Sequence, residues 1–177
     1  MSIPTKFLLG IDPGRVNLGA ALVYSNSNDW KITIHKCWTE NPSKAKNFEE
    51  FAHLVFNDIE AKSFTMERFI PYNGVMSPET EGVTSLIGML RLQFYLKSNG
   101  VVAELYKAID WKMFLVKHLA RHYGFTNLSK SGKLDKEFSL SAARFISTNP
   151  ERIKNDHEAD AVCLAAIPVF KAGIAKA

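Results

Sequence analysis

The sequence is poor in features that mark several classes of protein. It contains only two cysteines, Cys37 and Cys163, which excludes a secreted fold built on several disulfides, and their spacing fits no zinc motif. Both lie in apolar surroundings, so we expect reduced thiols in the core. No apolar run is long enough to span a membrane, and the N-terminus has no signal-peptide pattern. These absences predict a cytoplasmic protein with no membrane partner.

The residues that are present suffice for one domain with a core. The 177 residues are 46% hydrophobic, which predicts a single domain over residues 1–177. Strands are predicted near residues 6–12, 18–25, 30–38, 63–67 and 101–105, and helices near 45–60, 79–97, 109–123, 137–147 and 156–170. The first three strands should form an antiparallel meander, and the other two should join it in parallel through helical crossovers. The predicted fold is α/β, a five-stranded mixed sheet flanked by helices.

The first predicted strand ends on an acid. The apolar run 7–11 is followed by Asp12, and a Pro-Gly pair then turns the chain at once. A carboxylate at a strand tip can hold a divalent cation, but Asp-Pro-Gly is also an ordinary turn sequence. Gly10 in this strand and Gly19 in the next favour the cation site slightly, since small residues let another chain or a ligand approach closely.

A second acid, Glu67, ends the short β-prone segment 64–67. A helical pattern precedes this segment, so a crossover would lay the strand parallel to the first one. Parallel strands that both end in acids can bring those acids together at one edge of the sheet. The plain alternative is a surface glutamate before a loop.

A third acidic site opens the last predicted helix. Asn155 or Asp156 is a suitable N-cap, and His157 and Asp160 share one face of the first turn. Asp156 and Asp160 are four residues apart and could also meet. The sequence is almost wholly apolar after Asp160, which predicts a buried helix. A solvated acidic cap, favoured by the helix dipole, is the alternative to a pair of metal ligands.

In their order and spacing, these three sites resemble the RuvC family of Holliday junction resolvases, which belongs to the RNase H-like superfamily. The segment Gly10-Ile11-Asp12-Pro13-Gly14, with Gly19 after it, is similar to the opening motif of that family. Glu67 is similar to the glutamate that ends its fourth strand. The segment 157–161 is similar to its final motif, whose first ligand is Asp in some members and His in others. The resemblance covers nearly the whole chain and implies an RNase H-like fold.

The chain departs from the bacterial pattern after Glu67. The segment 68–74 carries a proline, and the sequence 79–88 stands where the bacterial members have a Gln-rich helix. We therefore expect a divergent member. A phage-encoded protein, which would work in the host-cell cytoplasm, is compatible with these departures.

The resemblance implies an endonuclease that resolves four-way DNA junctions with paired nicks by two-metal phosphodiester hydrolysis. Asp12 would bridge two Mg²⁺ ions about 4 Å apart, for which Mn²⁺ should substitute. Glu67 and Asp160 would each complete the shell of one ion. His157 would bind an ion or orient the attacking water, and Asp156 is the reserve ligand.

Basic residues are concentrated in the segment 106–136. It carries seven basic and two acidic residues, a net charge of +5 that leaves −1 for the remainder of the chain. This distribution favours a polyanion partner, although a solvated helix face would also contain Lys117 and Arg121. The candidate DNA-binding residues are Lys112, Lys117, Lys130, Lys133 and Lys136, with Phe69 and Tyr72 as candidates for stacking on unpaired bases. Core packing is the alternative role for Phe69, and the polar stretch 126–135 is predicted to be a mobile loop.

The predicted helix 79–97 is apolar on more than one face. One stripe contains Val83, Ile87, Leu90 and Phe94, and another contains Leu86, Met89 and Leu96. One stripe should pack on the sheet and the other needs a partner. The family resemblance implies a homodimer through this helix. The stripe from Val83 to Phe94 is the expected surface, because it would otherwise lie partly exposed. A helix buried within a monomer is the alternative.

Three other functions are alternatives to the resolvase. A sugar-kinase or actin-like ATPase also opens with a strand-end aspartate, but such chains are roughly twice as long and need a second phosphate loop. A non-catalytic nucleic-acid-binding module would not need the full set of acidic residues. Another RNase H-like nuclease, acting on flaps, branched DNA or RNA–DNA hybrids, is poorly separated from a resolvase by sequence.

Overall fold

The structure, a computed structural model, describes residues 7–14, 16–25, 30–57, 59–70, 77–126 and 133–174. Its strands are β1 (Phe7–Asp12), β2 (Leu18–Ser25), β3 (Ile32–Glu40), β4 (Ser63–Glu67) and β5 (Glu104–Tyr106). Its α-helices are α1 (Phe48–Phe56), α2 (Pro78–Lys97), α3 (Ala108–Tyr123), α4 (Lys136–Ile146) and α5 (Asp156–Ile174). Short 3₁₀ turns lie at Pro42–Lys44 and Pro150–Arg152.

The five strands form one mixed sheet in the order β3-β2-β1-β4-β5. The first three strands form an antiparallel meander, while β4 pairs in parallel with both β1 and β5. Short turns can join antiparallel neighbours, whereas the parallel pairs need the crossovers that contain α1 and α2. The predicted fold is confirmed, with its antiparallel meander and its two parallel strands added through helical crossovers.

The sheet separates two hydrophobic cores. On one face, Leu9, Ile11 and Phe64 pack with buried residues of α1 and α2. On the other face, Ala21, Val23 and Ile34 pack with buried residues of α3, α4 and α5. Successive residues of a strand point to opposite faces, so one run of apolar residues can supply both cores.

Helix α5 packs against the sheet at two glycines. A Cβ atom on Gly10 would lie 2.0 Å from the carbonyl oxygen of Ala161, and one on Gly19 would lie 2.1 Å from that of His157. No larger residue fits there without displacing the helix backbone. The close approach that Gly10 and Gly19 suggested in the sequence is therefore made by α5 itself, and it brings the first turn of the helix to the end of β1.

The interpretation of the apolar stripe on α2 was wrong. Val83, Ile87, Leu90 and Phe94 all point into the core, and none is more than 6% exposed. Leu86 is buried with them, because the core covers more than one row of this helix. The exposed apolar residues of α2 are Leu92, Tyr95 and Leu96.

Several element bounds also differ from the prediction. Helix α1 begins after Asn47, whose Oδ1 accepts a hydrogen bond from the Glu50 amide at 2.8 Å, so it is shorter than the predicted 45–60. Strand β5 begins at 104 rather than 101. Of the predicted loop 126–135, residues 127–132 lie outside the described residues.

Cys37 and Cys163 are both free thiols. In the described ranges, no helix is both long and apolar enough to cross a membrane.

Candidate metal centre and nucleic-acid face

The candidate site lies at the edge of the sheet where β1 and β4 both end. The two strands are parallel, and their last paired residues are Ile11 and Met66. Asp12 and Glu67 follow these residues directly, so they are neighbours at this edge. The pKa of Glu67 reflects this proximity. It is raised mainly by burial and further by the negative charge of Asp12.

The first turn of α5 adds two more side chains to this edge. Asn155 caps the helix by accepting a hydrogen bond from the Glu158 amide at 2.9 Å, and the Glu158 carboxylate accepts one from the Lys154 amide at 2.8 Å. These two hydrogen bonds form a variant of the capping box, in which the glutamate reaches the residue before the N-cap, and they fix the start of the helix. His157 Nδ1 then lies 2.9 Å from Asp12 Oδ2, and Asp160 follows one turn later.

Burial penalises the charged form of two of these carboxylates. Burial, with a smaller contribution from Asp12, raises the pKa of Glu67 from 4.5 to about 7. Burial likewise raises the pKa of Asp160 from 3.8 to about 6, partly offset by the charge of Lys112. Burial and mutual repulsion disfavour the charged form of these acids, and a cation bound between them would favour it.

Asp160 has a buried carboxylate oxygen, Oδ1, that accepts no hydrogen bond within the described part of the chain. The ammonium group of Lys112 lies 3.6 Å from this oxygen, which is close enough for an ion pair but too long for a hydrogen bond. Buried polar atoms are nearly always satisfied, so this oxygen is suited to an additional cationic partner.

His157 and Asp156 point to different partners. The hydrogen bond to Asp12 raises the pKa of His157, whereas Asp156 is bonded by Lys136, which lowers the pKa of Asp156. The structure therefore brings Asp12, Glu67, His157 and Asp160 to one edge and directs the reserve candidate Asp156 toward a lysine. As these side chains stand, no three His, Cys, Asp or Glu residues of the described chain are close enough together to hold one ion.

The predicted DNA-binding residues lie at varying distances from this edge. Lys112 is part of the site and Lys136 is beside it through Asp156. Lys117 and Lys133 are exposed. Phe69, two residues after Glu67, is 40% exposed, which argues against the core-packing alternative. Lys130 and Tyr72 lie outside the described residues.

Sequence reasoning missed one residue of the site. Trp111 is fully buried, and its indole Nε1–H donates a hydrogen bond to Glu67 Oε2 at 2.9 Å. The only local signal was a tryptophan directly before Lys112 in the first turn of a predicted helix. A tryptophan in an amphipathic helix normally indicates the core, so this signal did not separate the two roles.

Comparison with known proteins establishes the fold. No family model and no curated protein sequence matches the chain. Among solved structures, Thermus thermophilus RuvC matches with a TM-score of 0.69 and 20% identity, covering 96% of both chains. The same protein in complex with Holliday junction substrate matches with a TM-score of 0.65 and 18% identity, also over 96% of both chains. The yeast mitochondrial Holliday junction resolvase Ydc2 matches with a TM-score of 0.65 and 16% identity, over 99% of this chain and 83% of the other.

These matches confirm the resemblance at the level of fold. The five-stranded mixed sheet flanked by helices is the RNase H-like fold of the RuvC-like resolvases, and it extends over nearly all of the chain. The low identities also agree with the expectation that the chain is a divergent representative of this fold.

Proposed function

We propose that this protein is a structure-selective endonuclease that cuts four-way DNA junctions by metal-dependent phosphodiester hydrolysis with paired nicks. The observation that carries this proposal is the convergence of Asp12, Glu67, His157 and Asp160 at one edge of a resolvase-like sheet. The names of the structural neighbours, two of which refer to Holliday junctions, support the choice of substrate.

The donor set fits Mg²⁺, which prefers carboxylate oxygens. Asp12, Glu67 and Asp160 supply carboxylates, and the buried Asp160 Oδ1, which accepts no hydrogen bond within the described residues, is suited to a cation. When bound, two Mg²⁺ ions would lower the pKa of a water molecule and stabilise the leaving oxygen of the phosphodiester. Mn²⁺ should substitute for Mg²⁺, because it accepts the same hard ligands.

The four side chains would have distinct tasks. Asp12, which neighbours both Glu67 and His157, would hold the cations together with Glu67 and Asp160. His157 would use a neutral ring nitrogen to bind a cation or to orient the attacking water. In the metal-free protein the hydrogen bond to Asp12 raises the pKa of His157, so a protonated His157 would oppose the binding of a cation as the pH falls.

The lysines near the site would hold the DNA backbone. Lys112 pairs with Asp160 of the site and Lys136 pairs with Asp156 beside it, so both would be available to a phosphate that approaches this edge. Lys117 and Lys133 are exposed and would contact flanking phosphates. Exposed Phe69 would stack on an unpaired base at the junction. Lys130 and Tyr72 remain predictions from the sequence.

Paired nicks imply two active sites related by two-fold symmetry, which a homodimer supplies. We place the dimer surface on the outward face of α2, with Leu92 51% exposed, Leu96 63% exposed and Tyr95 47% exposed. Gly88 lies on the same face, and a Cβ atom there would meet nothing within 4 Å. A glycine inside a helix costs about 1 kcal/mol relative to alanine, and close approach of a second helix would explain its presence.

The test is Mg²⁺-dependent cleavage of a four-way junction beside duplex, flap and RNA–DNA hybrid substrates. We expect the junction to be cut preferentially, with two opposed nicks per junction. Asp12→Asn should abolish cleavage but leave junction binding largely intact, because it removes a charge that holds the metals and also repels DNA. Near-normal cleavage by this variant would contradict the metal site. Preferential cleavage of flaps or hybrids would move the function to another RNase H-like nuclease.

A further inference from the structure

Trp111 links the first turn of α3 to the candidate metal site. Glu67 is paired with Tyr106 in the parallel β4–β5 register, and α3 begins only two residues after Tyr106. This short connection places the buried indole of Trp111 against Glu67, where Nε1–H donates to Oε2 at 2.9 Å. The two residues are 44 positions apart in the sequence, so the contact belongs to the tertiary structure.

The chemical character of this donor suits a metal-binding carboxylate. An indole N–H is neutral and only donates, so it can fix one oxygen of Glu67 without adding a positive charge that would repel a cation. The bond occupies Oε2 and leaves Oε1 available for a ligand. By contrast, the group beside Asp160 is the Lys112 ammonium, whose Nζ lies 3.6 Å from Asp160 Oδ1 and whose positive charge would repel a cation.

The same side chain also supports Lys112. The Lys112 ammonium lies 5.0 Å from the centroid of the Trp111 ring, within the range of a cation–π contact. Trp111 thus contacts Glu67 through its N–H and Lys112 through its ring face. One buried side chain thus contacts both a carboxylate of the site and the lysine beside it.

We infer that Trp111 is a positioning residue of the metal site, which orients Glu67 through the indole N–H so that one carboxylate oxygen is free for the cation. This inference rests on the proposed function, because it assumes that Glu67 is a metal ligand. Partners that orient metal ligands typically change metal affinity by 10- to 100-fold when removed. A residue that merely fills the core would affect folding and leave metal affinity unchanged in a folded variant.

The test removes the N–H and keeps the shape. Benzothienylalanine, in which sulfur replaces the indole N–H, is incorporated at position 111 by suppression, and Mn²⁺ binding is measured by electron paramagnetic resonance without DNA. We expect affinity to fall by about 10- to 100-fold while the melting temperature stays close to that of the unaltered protein. The matched control is the same substitution at Trp30, which stacks on Tyr123 at 4.0 Å at the opposite edge of the sheet. It should leave Mn²⁺ affinity unchanged.

A second measurement does not depend on the folding of this variant. The chain has three tryptophans, so Trp30→Phe with Trp38→Phe leaves Trp111 as the single fluorophore. Paramagnetic Mn²⁺ should quench the fluorescence of Trp111. The dissociation constant from this quenching should equal the one measured by electron paramagnetic resonance. Mn²⁺ binding without quenching, or unchanged affinity in a folded benzothienylalanine variant, would overturn the inference and leave the metal site standing. Absence of Mn²⁺ binding to the unaltered protein would instead refute the metal site and the inference together.

Discussion

The contact between Gly19 and α5 makes a quantitative prediction about the site. In Gly19→Ala the new Cβ atom would lie 2.1 Å from the carbonyl oxygen of His157 and 3.0 Å from its Cβ. The first of these atoms is backbone, so no side-chain rotation relieves the overlap. The first turn of α5 must retreat by about 1.3 Å before the Cβ reaches the 3.4 Å of an ordinary contact.

A retreat of this size would separate the side chains of the site. The distance from His157 Nδ1 to Asp12 Oδ2, now 2.9 Å, would exceed hydrogen-bonding range. A misplacement of about 1 Å in an active site can lower the rate about 100-fold, and overpacking typically destabilises a protein by about 1–3 kcal/mol. We therefore expect Gly19→Ala to cleave junctions about 100-fold more slowly. Its melting temperature should fall by about 2–4 °C for each kcal/mol of destabilisation.

The assay combines thermal unfolding with single-turnover cleavage, performed at a temperature where the variant is fully folded. Gly82→Ala is the matched control, since a Cβ atom at this exposed position in α2 meets nothing within 4 Å. That control should stabilise the protein by about 0.5–1 kcal/mol and leave cleavage unchanged. Wild-type cleavage by folded Gly19→Ala would refute the reasoning that this glycine sets the position of His157.

Two further predictions concern pH and assembly. Burial raises the pKa of Glu67 from 4.5 to about 7 and that of Asp160 from 3.8 to about 6. The folded state therefore holds these protons more tightly than the unfolded chain does. In the metal-free protein, the two protonated carboxyl groups add to the free energy of unfolding at low pH, and this contribution is lost as the pH rises from about 4 to 7. Denaturant titrations with EDTA should show a smaller loss in Glu67→Gln, and saturating Mg²⁺ should restore stability at about pH 8. An identical pH dependence in that variant would contradict the raised pKa. For assembly, Leu92→Glu with Leu96→Glu should give a folded monomer in sedimentation that nicks junctions without pairing the cuts, whereas Val102→Glu at a 64% exposed position should not. A wild-type monomer at tens of micromolar, both free and on a junction, would rule out the dimer.

Local sequence patterns were sufficient for most of the architecture. Strand β4 begins and ends where the pattern predicted, at Ser63 and Glu67, because a short β-prone run with a preceding helix is read from neighbouring residues. Helix α1 was predicted too long because apolar periodicity extends past its ends, while Asn47 caps the backbone and determines where the helix starts. The stripe on α2 was misassigned because periodicity shows which residues share a face, and not which face the core covers.

The sequence by itself determined the order of the elements and the placement of acids at strand and helix ends. These features depend on residues close together in the chain, and they made Asp12, Glu67 and Asp160 candidates for the site. Three contacts were decided only by the tertiary structure. Lys136 forms an ion pair with Asp156, Trp111 donates a hydrogen bond to Glu67, and α5 packs against Gly19. Each of these contacts joins residues far apart in sequence, and its geometry follows from the register of the sheet and the packing of a helix upon it, which no local pattern contains.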